Sequence, residues 1–488
     1  MSRPVEAADV QSFYSLADAD LSRVVCQGTA CFAARHARLE EWQQAEGQMP
    51  RIYCLGKCYA APATAADLSR PQIEVKSRSA VVLERIAAGG AHTLDAYVRR
   101  GGLTGLKQAM ATGPEATIAQ IEGSELRGRG GAGFQTGVKW RAAAATAVPT
   151  KYVVANLDEG DPGAYIDRFI AEDDPFALVE GMAIAAYAVG GARGYLYVRC
   201  EYPGAIARLK QALAEARSGQ LLGTRVLNTD FSFDVELIVG AGSYECGEET
   251  SLLNSIEGRR PVARVRPPYV AECGLWGLPT IVNNAETLAC VPWILRHGAD
   301  AYAKLGIPGS RGTKILSLNS LFRRPGLYEV EFGISLREIV EDLGGGLARG
   351  KLRGLMVGGP LAGIVPPHLL DTRLGFAEMR AIGASVGHGG VIAFNERTTI
   401  PDLVEHVFSF GAQESCGQCT PCRLGTRRIE EIFAGVLRSG AGAAEATEWQ
   451  EVVTALKLAS LCGLGTGLAE FAESILRHYS QELRACFA

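Results

Sequence analysis

Two kinds of hydrophobic pattern alternate along the central part of the chain. Short apolar runs such as residues 152–155 and 195–198 have the length and the β-branched or aromatic content of buried strands. Longer segments between such runs carry apolar residues at three- and four-residue steps, as amphipathic helices do. Because strands alternate with helices, residues of about 80–310 are predicted to form an α/β layer.

The pattern changes on both sides of this block. Residues 312–395 hold short predicted strands around one helical segment, 336–343, between glycine turns, which indicates a compact α+β module. From residue 401 onward the apolar spacing is helical. A helical run at 33–44 with short strands after it predicts a small separate unit at the N-terminus. Short strands outside the central block are predicted at 51–54, 72–75, 314–318, 326–331, 355–357 and 391–394.

Composition excludes several classes of protein. A length of 488 residues predicts roughly three domains at about 150 residues each. The hydrophobic share of 47% and the charged share of 21% are those of a globular chain, not of a disordered one. A net charge of -4 gives no basic excess for nucleic acid. The longest uncharged apolar stretch, 181–192, is too short to span a membrane, and the N-terminus has no secretory apolar core. We therefore expect a cytoplasmic protein without direct membrane insertion.

The cysteines indicate metal or redox chemistry, because the chain has 13 of them and no secretion signal. Cys416, Cys419 and Cys422 stand three residues apart, and Cys462 follows in the segment LCGLG. Three thiolates on one loop and a fourth from a helix start fit a [4Fe-4S] cluster, with zinc as the alternative. The cysteines without ligand spacing, read as buried or incidental thiols, are Cys200, Cys246, Cys273, Cys290 and Cys486.

Four further cysteines form two pairs near the N-terminus. Four residues separate Cys26 from Cys31, three separate Cys54 from Cys58, and 22 lie between the pairs. Four thiolates in a small unit suit a [2Fe-2S] cluster or zinc. A vestigial unit that only docks a partner is the remaining alternative.

A glycine-rich loop spans residues 125–134. Gly128, Gly130 and Gly133 satisfy the GxGxxG pattern, but the preceding segment is no convincing strand, so an ordinary dinucleotide-binding fingerprint is not expected. The segment 125–139, with five glycines, two arginines and Lys139, still predicts a backbone cradle for phosphate beside a helix start. A plain glycine-rich turn is the alternative.

Three further polar segments carry candidate chemistry. The strand at 152–155 runs into an acidic turn at 157–163, and α/β sheets present ligand-contacting groups at that end of a strand. Its carboxylates can accept hydrogen bonds from a ribose, a carboxamide or a flavin ring; a solvated turn is the alternative. Residues 240–250 join a glycine turn to an aromatic and paired acids, and residues 282–287 offer side-chain amides and a hydroxyl. Helix capping is the alternative for both segments.

Five motifs in unbroken order resemble the NADH-oxidising flavoprotein subunit of respiratory complex I: ELRGRGGAGFQTGVKW, NLDEGDPGAYIDR, GSYECGEET, PTIVNNAETL and ESCGQCTPC. The same module serves NAD-linked formate dehydrogenases and NAD-reducing hydrogenases as their diaphorase subunit. The resemblance covers about residues 100–475. It implies an α/β multidomain fold with a thioredoxin-like [2Fe-2S]-type domain (1–76), a Rossmann-like FMN- and NAD(H)-binding α/β domain (77–311), a soluble-ligand-binding β-grasp (ubiquitin-like) insert (312–398) and a C-terminal helical bundle that holds the [4Fe-4S] cluster (399–488).

The resemblance also implies roles for single residues. Those expected to hold FMN are Gly128, Arg129, Gly130, Lys139, Asn156, Asp158, Glu159, Gly247, Glu248, Asn283, Asn284 and Thr287. Those expected to line the NAD(H) site are Phe134, Asp161, Tyr244, Glu249, Arg266 and Tyr269, and Glu159 and Tyr244 are the candidate catalytic residues. The family usually has Glu at position 161 and Lys at 266, where this chain has Asp and Arg. Ala142 stands where complex I has a further aromatic, so adenine stacking is expected from Phe134 and Tyr269 alone.

A short thioredoxin-like domain fused ahead of the flavin domain most resembles the β subunit of a molybdenum- or tungsten-dependent NAD-linked formate dehydrogenase. The expected activity exchanges a hydride between NAD(H) and FMN and single electrons between FMN and iron–sulfur clusters. Expected partners are a molybdopterin-containing α subunit and a small [2Fe-2S] γ-type subunit, with no nucleic acid. The alternatives are the diaphorase of an NAD-reducing [NiFe] hydrogenase, the NADH-oxidising subunit of a complex I-type enzyme, and a scaffold that has lost flavin. Intact loop residues and cluster cysteines argue against the scaffold.

Overall fold

The computed structural model describes residue 16 and residues 20–37, 51–440 and 442–487. The central block contains a parallel sheet with the strand order Asp234–Gly240, Arg193–Arg199, Tyr152–Leu157, Thr280–Asn284. Both faces of this sheet are packed, because Val153 and Ala155 join the main core whereas Val154 joins a second core. The predicted α/β layer is confirmed.

Helices surround this sheet, and one of them is almost wholly buried. Helix Pro175–Val189 packs against Ala285–His297, where a Cβ on Gly181 would lie 2.2 Å from the carbonyl oxygen of Leu288. Among the described residues, no helix is both long and apolar enough to cross a membrane. The helices from residue 83 to residue 303 are Leu83–Ala87, Leu94–Arg99, Thr104–Thr112, Pro114–Gly123, Thr136–Ala144, Ile166–Asp173, Pro175–Val189, Pro203–Ser218, Glu249–Ile256, Ala285–His297 and Ala299–Ala303.

The α+β module is built on a mixed sheet with the strand order Leu352–Val357, Gly390–Asn395, Thr313–Leu318, Gly326–Glu331, Gln72–Val75. The predicted helical segment begins as Leu336–Glu338, with a Ser335 capping box, and continues as a π-helical turn, Ile339–Leu343. A short helix, Phe376–Ala381, lies before the last strand, and a small hairpin, Gly306–Ile307 with Ser310–Arg311, precedes the module.

Strand Gln72–Val75 lies where it was predicted but belongs to a different unit. It pairs in parallel with Gly326–Glu331, so the predicted boundary of the N-terminal unit at residue 76 is wrong for this strand. The carboxylate of Glu329 explains the docking, because it accepts hydrogen bonds from the N–H groups of Val81 and Leu83, each at 2.8 Å, directly after the strand.

The two ends of the chain differ in architecture. The C-terminal part consists of helices Ile400–Glu414, Thr420–Ser439, Ala443–Ala459, Gly463–His478 and Ser480–Cys486, as the apolar spacing predicted. Near the N-terminus, strand Val25–Cys26 pairs in parallel with Arg51–Ile52, and helix Thr29–Ala37 follows the first strand. The predicted helix at 33–44 therefore begins earlier than expected, and its positions 38–44 lie outside the described residues.

Candidate functional site

The glycine-rich loop folds back on itself between two helices. The N–H of Gly128 donates to the carbonyl of Phe134 at 2.8 Å. The loop follows helix Pro114–Gly123 and leads into helix Thr136–Ala144, so no strand precedes it and the ordinary dinucleotide fingerprint is absent from this described segment. The N-terminus of the second helix offers backbone N–H groups suited to a phosphate.

Glycine is favoured at two positions of the loop for different physical reasons. A Cβ on Gly130 would lie 2.9 Å from the Cβ of Asn284, so the close approach of loop and helix requires glycine. A Cβ on Gly131, whose φ is +126°, would meet no atom of the described residues within 4 Å. The backbone therefore borders open space at this position, as a cofactor-binding loop must.

The side chain of Arg129, expected to help hold FMN, does not point into that space. Its guanidinium is buried and donates to the hydroxyl of Tyr302 at 2.7 Å and to the carbonyl of Arg311 at 2.8 Å. The same group lies 4.8 Å from the ring centroid of Phe332. The guanidinium also donates back to the carbonyl of Arg127 within the loop at 3.0 Å, and the backbone N–H of Arg129 donates to the hydroxyl of Thr287 at 2.8 Å. Through Phe332, the side chain joins the glycine loop to the α+β module.

Four of the predicted residues form a charged cluster beside the loop. The Lys139 ammonium donates to the carbonyl of Val282 at 2.9 Å and to Glu249 at 3.1 Å. The Arg266 guanidinium lies 3.2 Å from the other oxygen of Glu249 and 3.7 Å from Glu248. Glu248 also caps helix Glu249–Ile256 through the N–H groups of its first turn. The structure thus brings together two residues expected at the FMN site, Lys139 and Glu248, and two expected at the NAD(H) site, Glu249 and Arg266.

The acidic turn contains a buried oxygen with no partner. Asn156 shapes the turn by donating to the carbonyl of Gly247 at 2.9 Å and by accepting from the N–H of Asp158, also at 2.9 Å. No described residue donates to Oδ2 of Asp158, which is buried. Burial raises the pKa of this carboxyl well above its ordinary value. A buried acceptor of this kind calls for a donor from a ligand.

Glu159, expected to hold FMN and to be a candidate catalytic residue, uses its carboxylate to cap a helix. Its carboxylate accepts from the backbone N–H groups of Ile166 at 2.6 Å, Asp167 at 3.0 Å and Arg168 at 3.1 Å. The hydroxyl of Tyr202 donates to it as well, at 3.2 Å. Because these donors occupy both oxygens, the side chain holds the start of helix Ile166–Asp173 and has little capacity for another ligand.

The amides at 283 and 284 are also committed to the protein. Asn284 caps helix Ala285–His297 by accepting from the N–H of Thr287 at 3.1 Å, and its amide donates to Asp167 at 2.6 Å. Asn283 accepts from the indole N–H of the buried Trp140 at 3.0 Å. The capping alternative therefore holds for Asn284. Its effect on a cofactor is indirect, through the position of the glycine loop.

Tyr244 joins the acidic turn to the C-terminal helices. Its hydroxyl donates to Asp161 at 2.6 Å, and its backbone N–H donates to Glu414 at 2.9 Å. A cavity of about 50 Å³ lies beside these groups, and Asp158 and Arg199 also line it. Burial raises the pKa of Glu414 to about 7. The two aromatic residues expected to stack on adenine are both exposed at the surface: Phe134 by 55% and Tyr269 by 60%.

The four C-terminal cysteines meet at the starts of two helices. Cys419 is the N-cap of Thr420–Ser439, and Cys462 is the N-cap of Gly463–His478. Cys416, Cys422 and Cys462 are buried, and burial raises the pKa of Cys422 to about 12. Helix N-termini favour negative charge, so they suit thiolates that carry an anionic cluster. These donors fit a [4Fe-4S] site.

The four N-terminal cysteines also converge. Each is 1% exposed, and the sulfurs of Cys54 and Cys58 lie 3.6 Å apart. Three of the sulfurs accept backbone N–H groups, from Gly28 to Cys26 at 3.4 Å, from Gly56 to Cys54 at 3.3 Å and from Ala63 to Cys31 at 3.4 Å. A hydrogen bond with Cys26 is the main cause that raises the pKa of Cys54 to about 12.

Neither set of cysteines is arranged around a single metal ion. Within the described ranges, no group of three or more His, Cys, Asp or Glu side chains has the geometry to hold one. A [4Fe-4S] cluster needs more widely spaced thiolates than one tetrahedral zinc, because each thiolate binds a different iron, whereas in a [2Fe-2S] cluster two thiolates share each iron. The 3.6 Å between the sulfurs of Cys54 and Cys58 therefore does not separate a [2Fe-2S] cluster from zinc at the N-terminal site.

Comparison with known proteins identifies the family. The family model described as Nuo51 FMN-binding domain matches residues 121–293, and that of the NADH-ubiquinone oxidoreductase-F iron-sulfur binding region matches residues 402–486. The F 2 subunit of NADH-quinone oxidoreductase from Rhizobium meliloti (strain 1021) is 39% identical over 410 residues, which are 83% of this chain and 97% of that protein. The chain belongs to the complex I 51 kDa flavoprotein family.

Other members of the family serve different complexes. NADP-reducing hydrogenase subunit HndC of Solidesulfovibrio fructosivorans is 39% identical over 394 residues, which are 80% of this chain and 80% of that protein. A crystal structure of NAD+-reducing [NiFe]-hydrogenase in the H2-reduced state superposes with a TM-score of 0.83 at 28% identity, covering 99% of this chain and 88% of that chain. These matches confirm the predicted resemblance, the FMN-binding domain, the [4Fe-4S] region and the mixed α/β multidomain fold. The chain is an NAD(H)-dependent flavin and iron–sulfur oxidoreductase subunit.

Two buried residues near the site were not predicted from the sequence. Asp167 is buried and holds the amide of Asn284. Arg199 is also buried and donates to the carbonyl oxygen of Glu159 and to that of Tyr53, the latter at 3.4 Å. It therefore connects the acidic turn to the residue before Cys54. Its position at the carboxyl end of strand Arg193–Arg199 was the available signal, because ligand-contacting groups collect at that edge of the sheet.

Proposed function

We propose that this chain is the diaphorase subunit of a cytoplasmic NAD-dependent formate dehydrogenase complex. FMN, when bound, exchanges a hydride with NAD(H) and passes electrons singly to iron–sulfur clusters. The protein's part is to bind, orient and shield these groups. The partners proposed are a molybdopterin-containing α subunit and a small [2Fe-2S] γ-type subunit.

The observation that carries the electron-transfer proposal is the contact between the flavin site and the cysteine site. The side chain of Tyr244 contacts the acidic turn. Its backbone N–H contacts Glu414, which stands two residues before Cys416. The next residue, Glu245, is buried against Cys462. One short segment therefore touches both sites, which supports a direct electron path between them.

For FMN, we assign the glycine loop and the unpartnered oxygen of Asp158 to the cofactor. The backbone at Gly128 and Gly131 and the free capacity of the Lys139 ammonium suit the phosphate. Asp158 supplies the acceptor that a flavin ring N–H requires. For NAD(H), we assign Asp161 and Tyr244, together with Glu249 and Arg266 of the charged cluster and the exposed rings of Phe134 and Tyr269.

For the N-terminal cysteines, we propose a [2Fe-2S] cluster. Three backbone N–H groups directed at sulfur stabilise thiolates that carry such a cluster. The test is low-temperature EPR of the dithionite-reduced, purified complex, in the wild type and in Cys54→Ser. A rhombic S = 1/2 signal present in the wild type and lost in the variant supports the cluster. Wild-type complex without that signal, and with iron for one [4Fe-4S] cluster only in this chain, contradicts it.

The formate assignment rests on the resemblance of the fused N-terminal unit. The hydrogenase diaphorase is the second candidate, and the superposition that covers 99% of this chain favours it. The two candidates are separated by purifying the tagged chain with its partners. Molybdenum or tungsten with formate-dependent NAD+ reduction supports the first candidate. Nickel with hydrogen-dependent NAD+ reduction overturns it in favour of the second, and quinone reductase activity alone overturns both.

A further inference from the structure

A histidine of the insert reaches the acidic turn of the flavin domain. His388 lies between Gly387 and Gly389, whose φ angles of +52° and +99° shape the loop before strand Gly390–Asn395. The residue is 8% exposed, and its Nε2 lies 2.9 Å from Oδ2 of Asp161. The two residues are more than 200 positions apart in the chain, so the contact depends on how the insert packs against the flavin domain.

The hydrogen bond at the second ring nitrogen, Nδ1, determines which nitrogen of His388 carries the proton. Nδ1 of His388 accepts a hydrogen bond from the N–H of Gly390 at 3.1 Å. In the neutral imidazole the proton is therefore on Nε2, and this N–H faces the Asp161 carboxylate. The contact is bent and not a linear hydrogen bond, but the attraction between a ring N–H and a carboxylate is strengthened by burial.

Asp161 is held on two sides by different units. Its Oδ2 faces His388 of the insert, and its Oδ1 accepts the hydroxyl of Tyr244 at 2.6 Å. The Tyr244 ring packs against Phe410 of the C-terminal helices, with 5.2 Å between ring centroids. Removal of the histidine would leave one carboxylate oxygen without its partner and allow the 21% exposed side chain to turn towards solvent.

We propose that His388 is a positioning residue of the NAD(H) site, which holds Asp161 and, through it, the hydroxyl of Tyr244. The inference rests on the proposed assignment of Asp161 and Tyr244 to that site. Since His388 acts on the orientation of groups that meet the dinucleotide, its loss is expected to weaken NADH binding more than the turnover of bound NADH.

Two substitutions of His388 separate positioning from loop folding. Gln places its amide N–H near the position of Nε2 and keeps a donor for Asp161. Asn places its carbonyl oxygen near the position of Nδ1 and keeps the acceptor for the N–H of Gly390. A positioning role is therefore rescued by Gln, whereas a role confined to the loop is rescued by Asn.

The assay is NADH oxidation by the purified holo-complex with ferricyanide as acceptor. We expect His388→Asn to raise KM for NADH about tenfold with kcat within twofold, and His388→Gln to stay within threefold of the wild-type KM. FMN content and the cluster EPR signals are expected to be unchanged. His368→Ala is the matched control, because this histidine is exposed in the same insert. Asp161→Asn is expected to raise KM similarly, and the double variant with His388→Asn is expected not to be additive.

Three results would overturn the inference. A normal KM in His388→Asn with a raised KM in His388→Gln assigns the histidine to the loop. A normal KM in both, with a raised KM in Asp161→Asn, removes His388 from the site but leaves the proposed NAD(H) site intact. A normal KM in Asp161→Asn as well refutes that site assignment itself. If either variant loses FMN, NADH binding measured by dialysis after FMN reconstitution replaces the kinetic comparison, with the same expected pattern.

Discussion

Arg129→Met tests whether the arginine of the glycine loop stabilises the fold or binds the cofactor. The substitution removes the donor from three acceptors: the hydroxyl of Tyr302, the carbonyl of Arg311 and the carbonyl of the half-buried Arg127. Each buried group left without a partner costs about 1–3 kcal/mol. Loss of the cation over Phe332 adds about 1 kcal/mol. Met fills part of the space and needs no buried charge, which offsets some of this cost, so we expect a net destabilisation of about 2–4 kcal/mol.

The measurement has to separate stability from cofactor binding, since a bound ligand itself stabilises the folded state. Urea unfolding of the flavin-free protein, followed by tryptophan fluorescence, is expected to show a lower midpoint with an unchanged slope. FMN affinity, titrated by flavin fluorescence below the unfolding range, is expected to stay within about threefold of wild type, which is under 1 kcal/mol.

Arg127→Met is the matched control from the same loop. Its side chain is only half-buried and donates to the carbonyl of Gly133 at 3.1 Å, so we expect a loss of stability below about 1 kcal/mol. An Arg129→Met protein with normal stability and FMN affinity reduced more than tenfold would refute the reasoning. In that case the guanidinium leaves its buried site and contacts the phosphate.

Three further outcomes are expected. Cys419→Ser should abolish binding of the [4Fe-4S] iron and electron delivery to partner subunits, while FMN stays bound and reducible by NADH. The control, Cys273→Ser at an exposed cysteine, should leave the iron content unchanged. Asp158→Asn should weaken FMN binding about tenfold, or about 1.4 kcal/mol, because an amide N–H replaces the acceptor oxygen; unchanged affinity would remove Asp158 from the flavin site. Burial raises the pKa of Asp174 from 3.8 to about 6, so its contribution to stability is complete below pH of about 4 and is lost as the pH rises through 6. In Asp174→Asn, the urea midpoint should depend less on pH across this window than it does in the wild type. A pH dependence of the midpoint equal to that of the wild type would contradict the assignment.

Patterns confined to a short stretch of sequence were predictable, and pairings between distant stretches were not. Strand Gln72–Val75 was predicted at its observed bounds, because β-branched content and flanking polar residues are local properties. Its partner strand, Gly326–Glu331, lies about 250 positions later, and no local signal names a partner. Contacts between distant residues specify the docking: the buried Glu329 accepts three backbone N–H groups, and Arg78 pairs with Glu331.

The same distinction applies to the site. The spacing of the cysteine motifs predicted which residues converge, because loop geometry is short-range. The motifs also contained polar residues that the structure places near the glycine loop, but the direction of each side chain depended on packing. Arg129 turned towards the insert, Glu159 towards a helix start and Asn284 towards Asp167. Each of these groups satisfies buried backbone or side-chain partners that only the folded protein brings near.

Because these side chains bind other parts of the protein, several residues around the glycine loop have a structural role, and few of their polar groups are free to bind ligands. The glycine loop and the acidic turn contact the α+β module through Arg129, which lies over Phe332, and through Asp161, which faces His388, and Tyr244 contacts the C-terminal helices. Because every one of these contacts lies within a few residues of a proposed cofactor contact, a shift of the insert would move the NAD(H) and FMN sites together. The insert therefore cannot be regarded as a separable attachment. Its loop at residue 388 is part of the wall against which the dinucleotide is proposed to bind.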